Sequence, residues 1–436
     1  MNILLVQPRS TDLEVIYPVG LAHVAAVLKA RGHTVAGADL AFAPLPALEA
    51  SLAGAGPAWV AVWGDFHGEN RFRDVLRWLR AHTGAPIVVG GPYPSVCHED
   101  LLSEGLIDVA LLGEAEPTAA DLARALADDD ALTSVPGIAW RDGQGETRLS
   151  APRPPLASLD ELPPADREVF PLAPYYGMLN RRRRYTALWT SRGCDHRCGH
   201  CAVPRACGHW RARSAKAVVE EISRLAIDHG IREVHVEDDD FLADRDRALE
   251  IARRLSAARF DVIWQAANGV RADELDEELL TAMAESGCYR IEIGLESLDP
   301  AVAERLGRPF DPDRLARIVR LARRLGIEPG GYFILGLPGE SLNSTARMAE
   351  RARKLGLVLA SFSLYRPVPG SPLYETADGR VAAADRPDVR ALAASAARQF
   401  YLRPRTVPLA LRYVRCLPRA VKAFARYRGL RRRERT

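Results

Sequence analysis

The sequence predicts an α/β chain built around two parallel sheets, and three observations predict it. Five short apolar runs alternate with amphipathic stretches over the first 130 residues. Six further strand-like runs alternate with helical patterns between residues 185 and 367. Between the two series the periodicity lapses, and "APRPPLASLDELPPADREVFPLAP" holds seven prolines. Strands that are apolar along their whole length belong in parallel sheets covered on both faces.

The first five runs are "ILLV" (3–6), "HTVAGADL" (33–40), "AWVAVWG" (58–64), "PIVVGG" (86–91) and "DVALLG" (108–113). Segments such as "GLAHVAAVLKARG" and "RFRDVLRWLRAH" between them place apolar residues at helical spacing. Together they predict a flavodoxin-like (Rossmann-type), doubly wound domain over residues 1–130, whose ligands bind beyond the carboxyl ends of its strands. Residues 131–178 read as a proline-rich linker or strap. The second series is "YTALWTS" (185–191), "EVHVEDD" (233–239), "VIWQAAN" (262–268), "YRIEIGLE" (289–296), "GGYFILGL" (330–337) and "ASFSLYRP" (360–367). Six such units predict a partial (β/α)6 barrel over residues 179–380, with its site at the loops that follow the strands. Residues 381–436 form a basic C-terminal extension, helical in tendency. Its end, Arg412–Thr436, sets ten Lys or Arg residues against the single acid Glu434. Such a tail either meets nucleic acid or anionic lipid, or is a solvated helix. The "RRRR" run at 181–184 is likewise either an anion contact or a solvated linker.

The 436 residues carry a net charge of +3 and 26% charged side chains, an ordinary globular balance. No leader pattern follows Met1, and no run reaches the roughly 18 apolar residues that span a bilayer. Of seven cysteines, Cys97, Cys207, Cys288 and Cys416 stand singly, which argues against a disulfide framework and for a reducing, cytoplasmic compartment.

The other three fall together in "SRGCDHRCGHC" (191–201), directly after the first barrel strand. A structural zinc site closes its shell with four ligands. A four-iron, four-sulfur cluster has four iron corners, and three thiolates leave one corner open. Cys207, six residues beyond Cys201, is the alternative that would complete a four-thiolate zinc site. His196, His200 and His209 are not expected as ligands, and Cys288 reads as a small buried residue.

Cys194-Asp-His-Arg-Cys198-Gly-His-Cys201 resembles the CxxxCxxC signature of the radical S-adenosylmethionine (SAM) superfamily. "WRARSAKAVVEEI", "HVEDDDF", "IEIGLES" and "GYFILGLPGE" follow in that family's order, so the match covers about 180–370. The resemblance implies that Cys194, Cys198 and Cys201 hold a [4Fe-4S] cluster. Its open iron would bind SAM, and an electron from it would cleave SAM to a 5′-deoxyadenosyl radical. It implies SAM contacts from Glu237 or Asp238, a carboxylate suiting the ammonium group. The family usually has Gly-Gly-Glu there, so the choice between the two stays open. Glu296 would meet the ribose hydroxyls, with Ser297 beside it as contact or helix cap. Gly336 and Pro338 of "GLPGE" would lie along the adenine, where glycine permits close backbone approach. His200 stands where the family commonly has an aromatic, which suits shielding of the cluster.

A doubly wound domain ahead of such a barrel is similar to the cobalamin-dependent radical SAM family. Its landmarks here are "YPVGLAHVAAVLKARGH" (17–33), "GGPYPS" (90–95) and "GEAEPT" (113–118). The resemblance implies that Tyr17, Pro18, Gly20, Gly90, Gly91, Gly113 and Glu114 line cobalamin and its nucleotide tail. The histidine-donating motif DxHxxG is absent: "DFHGEN" (65–70) ends in Asn70 and follows the third strand. Cobalt without a histidine ligand is therefore expected, with Asp65 and His67 either near its lower face or in a plain surface loop. Methylthiotransferases build a second cluster from three cysteines in their front domain, and the first 190 residues here contain only Cys97.

The family implies a methyltransferase acting on an unactivated carbon, or phosphorus, of a small-molecule substrate. One SAM would methylate the cobalt, a second would give the radical, and the substrate radical would take the methyl group from methylcobalamin. An external electron donor such as flavodoxin or ferredoxin is implied; no stable nucleic-acid or membrane partner is expected, and the chain is expected to be a monomer. No catalytic side chain is singled out. Tyr289, Tyr332, Tyr365 and Trp210 are pocket-wall candidates that could equally be packing. A non-methylating rearrangement, cyclisation or oxidation with the same cofactors, and a non-catalytic cobalamin or iron–sulfur sensor, remain as alternatives.

Overall fold

The computed structural model describes residues 1–8, 15–128, 131–175, 177 and 179–401. The basic tail and Cys416 lie outside the described residues. The chain divides into two units, one running from Met1 to Tyr175 with Arg205–Gly208, the other taking the remaining described residues.

In the first unit β1 (Asn2–Gln7), β2 (Thr34–Asp39), β3 (Trp59–Trp63), β4 (Ile87–Gly90) and β5 (Val109–Leu111) are parallel, in the order β2-β1-β3-β4-β5. Helices α1 (Val19–Ala30), α2 (Leu48–Ala55), α3 (Glu69–His82), α4 (Pro92–Ser103) and α5 (Ala115–Asp128) connect them or follow. α3 shows why: Phe72, Val75, Leu76 and Leu79 recur at helical spacing, and all four are buried in the core with Leu4, Val6, Val60, Val62 and Val89. Each fully buried side chain of this kind contributes about 1.5–3 kcal/mol before entropy is counted. The doubly wound domain is as expected.

Residues 131–178 are more than a linker. β6 (Ile138–Arg141) pairs antiparallel with β5, and β7 (Thr147–Leu149) with β6, extending the sheet to seven strands. The hairpin turns at "DGQG", where Asp142 Oδ1 accepts Gln144 N and Glu146 N and Gly145 takes φ +85°. The later, proline-rich part straps the opposite edge. Phe170 lies against Gly37 of β2, where any Cβ would meet its ring at 2.7 Å. Asp166 pairs with Lys29 of α1, and Tyr175 donates to Asp39 Oδ2 at 2.6 Å. The edge strand is thereby covered rather than left open to pairing.

The second unit holds six parallel strands: β8 (Tyr185–Leu188), β11 (Glu233–Val236), β12 (Ile263–Val270), β13 (Cys288–Glu296), β14 (Glu328–Leu335) and β15 (Ser361–Leu364). They stand in the order β15-β14-β13-β12-β11-β8, so each neighbours its sequence successor and the sheet stays open between the ends. This is the expected partial barrel. Two short strands, β9 (Ser191–Arg192) and β10 (Arg211–Ala212), form an antiparallel pair. The helices from α6 onward are α6 (Val203–Cys207), α7 (Ala215–Ile227), α8 (Arg245–Ala258), α9 (Glu277–Glu285), α10 (Pro300–Arg305), α11 (Pro312–Arg324), α12 (Leu342–Leu355) and α13 (Pro387–Tyr401). Ser214, Asp244, Asp276, Asp311 and Ser341 cap five of them by accepting backbone N–H groups.

The "RRRR" run belongs to the amino-terminal end of this sheet. Arg181 pairs with Glu328 at 2.8 Å and stacks over the Tyr289 ring, and Arg182 N donates to Glu233 at 2.6 Å. Tyr289 donates to Glu233 at 2.5 Å and Arg290 joins Glu328 at 3.1 Å. Tyr289 is therefore packing, as is Tyr365, whose buried hydroxyl donates to Gly379 O. Among the described residues no helix is long and apolar enough to cross a membrane.

Candidate functional site

The cysteine loop leaves β9 at Gly193, whose φ of +76° turns the chain across the carboxyl ends of the barrel strands. Cys194 and Cys201 are half-buried and Cys198 is buried. Backbone bonds fix the loop independently of its thiols: Gly199 N donates to Leu306 O at 2.9 Å, and Leu373 N to Gly199 O at 2.8 Å. Burial pushes the Cys194 thiol up to about 12 and Cys201 to about 11, with neighbouring carboxylates and thiols adding to both. A metal that binds these sulfurs takes the place of their protons.

Among the described residues one group of three ligand atoms lies within 4.8 Å of one another: Cys194, His196 and Asp240. A cuboidal cluster takes one thiolate at each of three corners, and three thiols are the donor set that Cys194, Cys198 and Cys201 offer. Cys207 is half-buried at the end of α6. His209 is exposed and pairs with Asp195, and His196 Nε2 lies 3.2 Å from Asp240 and 3.1 Å from Glu274.

The acidic turn after β11 divides its work residue by residue. Asp238 is buried and accepts Thr190 N at 2.6 Å, the Thr190 hydroxyl, and Ser191 Oγ at 2.7 Å. Both its oxygens accept hydrogen bonds within the protein, so Asp238 braces the segment just ahead of the cysteine loop. Asp239, pushed up to about 6 by burial, accepts Gly193 N at 3.0 Å. Asp240 faces the Cys194 thiol at 3.6 Å and its carbonyl accepts Trp210 Nε1. The sequence reading passed over Asp239 and Asp240, because consecutive carboxylates in a turn look alike.

Glu296 ends β13 at φ +53°, a left-handed conformation that costs a non-glycine residue about 1–2 kcal/mol. That turn brings its Oε1 to 3.8 Å from His200 Nε2 and 3.7 Å from Arg308 Nε. Burial holds His200 below its usual range. His200 Nδ1 and Glu274 Oε2 are buried without a hydrogen-bond partner. Unpaired buried polar atoms are costly, and a polar ligand would pair them.

Two other expected SAM contacts are turned inward. Ser297 is buried and its Oγ accepts Asp299 N, so it closes the turn before α10. Gly336 does permit a close approach, but to the chain itself: a Cβ there would lie 2.7 Å from Val389 and 2.8 Å from Ala383. Pro338 is half-buried in the same loop. Tyr332 donates to Ala267 O at 2.6 Å.

In the first unit the carboxyl ends of β3, β4 and β5 gather glycines. Gly91 (φ +107°) passes so near Gly64 that a Cβ would lie 2.6 Å from its carbonyl oxygen. Gly113 (φ +75°) faces open space, and its N–H donates to Ser95 Oγ, which donates to Gly91 O. With Gly90 and the amino termini of α4 and α5 alongside, this crevice suits a phosphate-bearing ligand. Ser95 is a member the sequence reading did not single out. Tyr17 turns away, its hydroxyl on Asp166 O and its ring edge-on to Phe170 and Tyr175. Glu114 accepts Leu156 N at 2.8 Å, so it holds the strap. Pro18 precedes α1 and Gly20 lies in its first turn. Asp65 accepts Gly68 N at 2.6 Å to close the turn before α3, and His67 is exposed.

Comparison with known proteins agrees with this division. Residues 190–352 match the radical SAM superfamily model and residues 10–123 the B12 binding domain model. An uncharacterized methyltransferase of Pyrococcus horikoshii is 31% identical over 67% of this chain, a match spanning only 62% of that protein's length. The cytidylyl-2-hydroxyethylphosphonate methyltransferase of Streptomyces wedmorensis is 28% identical, over 85% of this chain and 80% of its own. The solved structure of TsrM, a radical S-adenosylmethionine methyltransferase from Kitasatospora setae, shares the fold with a TM-score of 0.71. It is 22% identical, with 85% of this chain and 75% of that one covered.

Proposed function

The chain belongs to the cobalamin-dependent radical SAM enzyme family, and from that premise we propose that it transfers a methyl group from SAM to an unactivated carbon, or phosphorus, of a small-molecule metabolite. The observation that carries the reading is the pairing, in one chain, of a three-cysteine loop with a glycine-lined crevice on a doubly wound sheet. When bound, the cluster and SAM supply a radical and cobalamin supplies a methyl carrier. The protein's part is to hold, orient and dry these groups. Cys194, Cys198 and Cys201 would hold the cluster on a loop whose backbone is already pinned. Glu237 and Glu296 would meet SAM, as would His200 Nδ1, which is buried without a hydrogen-bond partner. Gly90, Gly91 and Gly113, with Ser95, would seat the nucleotide tail of cobalamin. Asp65 and His67, in the turn after β3, would meet the cobalamin. An external donor such as flavodoxin or ferredoxin would deliver electrons to a monomer in the cytoplasm.

Turnover with methyl-labelled SAM under reducing, anaerobic conditions tests the reading. The acceptor panel would begin with cytidylyl phosphonates, the class named for the Streptomyces relative. Label in the acceptor, with S-adenosylhomocysteine and 5′-deoxyadenosine formed together, is expected. A rearranged or cyclised product carrying no label would contradict methylation.

A further inference from the structure

Arg308 follows α10 in "LGRPF", where no sequence pattern draws attention to it. Its guanidinium, only 14% exposed, is fixed on three sides. Nη2 donates to Gly294 O at 2.7 Å, Nε lies 3.7 Å from Glu296 Oε1, and Nη1 donates to Cys198 Sγ at 3.5 Å. The other two sulfurs are treated differently. Cys201 Sγ accepts the Val203 backbone N–H at 3.5 Å. Cys194 Sγ accepts the His196 backbone N–H and faces the Asp240 carboxylate. Cys198 is thus the sulfur that receives a hydrogen bond from a cation. Hydrogen bonds to ligating sulfurs, and charge beside them, set the potentials of iron–sulfur clusters.

Resting on the reading of Cys198 as a cluster ligand, we propose that Arg308 is a positioning residue that raises the cluster's reduction potential through its N–H···S bond and charge. One electron enters the cluster from the external donor; Arg308 stays charged and exchanges no proton. Reduction adds negative charge that a neighbouring guanidinium stabilises and a neutral amide does not.

The test is a redox titration of the full chain, reconstituted without oxygen and without SAM, followed by the electron paramagnetic resonance of the reduced cluster. Arg308→Gln is expected to bind as much iron as wild type and to titrate at a more negative potential. Arg308→Lys, which keeps the charge but loses the fork, is expected to fall between. A Gln variant with full iron and an unmoved potential overturns the inference, even if its SAM binding weakens. If Gln loses iron, the Lys variant decides: a potential equal to wild type overturns the inference, and a negative shift supports it. A wild-type chain that takes up no iron overturns the cluster reading, and this inference with it.

Discussion

Cys198→Ala is expected to lose most of its iron on reconstitution while the wild type holds about four irons per chain. Cys198 is the buried member of the three, and its sulfur carries the Arg308 contact. Removing it leaves two thiolates for a cluster that needs three, and strands a buried guanidinium N–H. The backbone should survive, because Gly199 binds Leu306 and Leu373 through main-chain atoms. The lost sulfur removes only about 1 kcal/mol of packing. Helical circular dichroism should therefore match wild type. Cys207→Ser should keep the iron. Full iron in Cys198→Ala, or its loss in Cys207→Ser, would reverse the ligand assignment.

Asp238→Ala is expected to be among the most destabilising single changes in the barrel. The carboxylate gathers Thr190 N, the Thr190 hydroxyl and Ser191 Oγ, all buried. An alanine leaves Thr190 N and the Thr190 hydroxyl unpaired and Ser191 Oγ with only Asp240 O at 3.2 Å. Each unpaired donor costs about 1–3 kcal/mol before relaxation, so a net loss on the order of 2–4 kcal/mol follows. The damage falls on the turn between β8 and β9, immediately ahead of Cys194, so iron content should drop with the melting temperature. Asp238→Asn, which keeps one acceptor, should lie between. If Asp238 instead served SAM alone, the melting temperature of the apoprotein would not move.

Much of this was legible because it is local. Alternating apolar runs and capped helices state the order of the elements, and three cysteines within eight positions announce a metal. What escaped depends on distant partners. The "GIAW" strand is a short run just ahead of the proline-rich stretch and declares itself only by pairing with β5. Nothing in "EDDD" separates the carboxylate that braces Thr190 from the one facing Cys194; their partners more than forty residues away do. Gly336 looked like a ligand platform because its neighbours, Ala383 and Val389, come about fifty residues later. Arg308 is one arginine among many until the fold carries it to Cys198.

The most direct measurement is the absorption spectrum and metal content of the wild-type chain, purified without oxygen, reconstituted with iron, sulfide and hydroxocobalamin, and desalted. Retained cobalamin bands together with about four irons per chain are expected. Iron without cobalamin would mean that the glycine crevice of the first unit does not bind this cofactor, and would remove the basis for methyl transfer. Cobalamin without iron would contradict the assignment of the three cysteines.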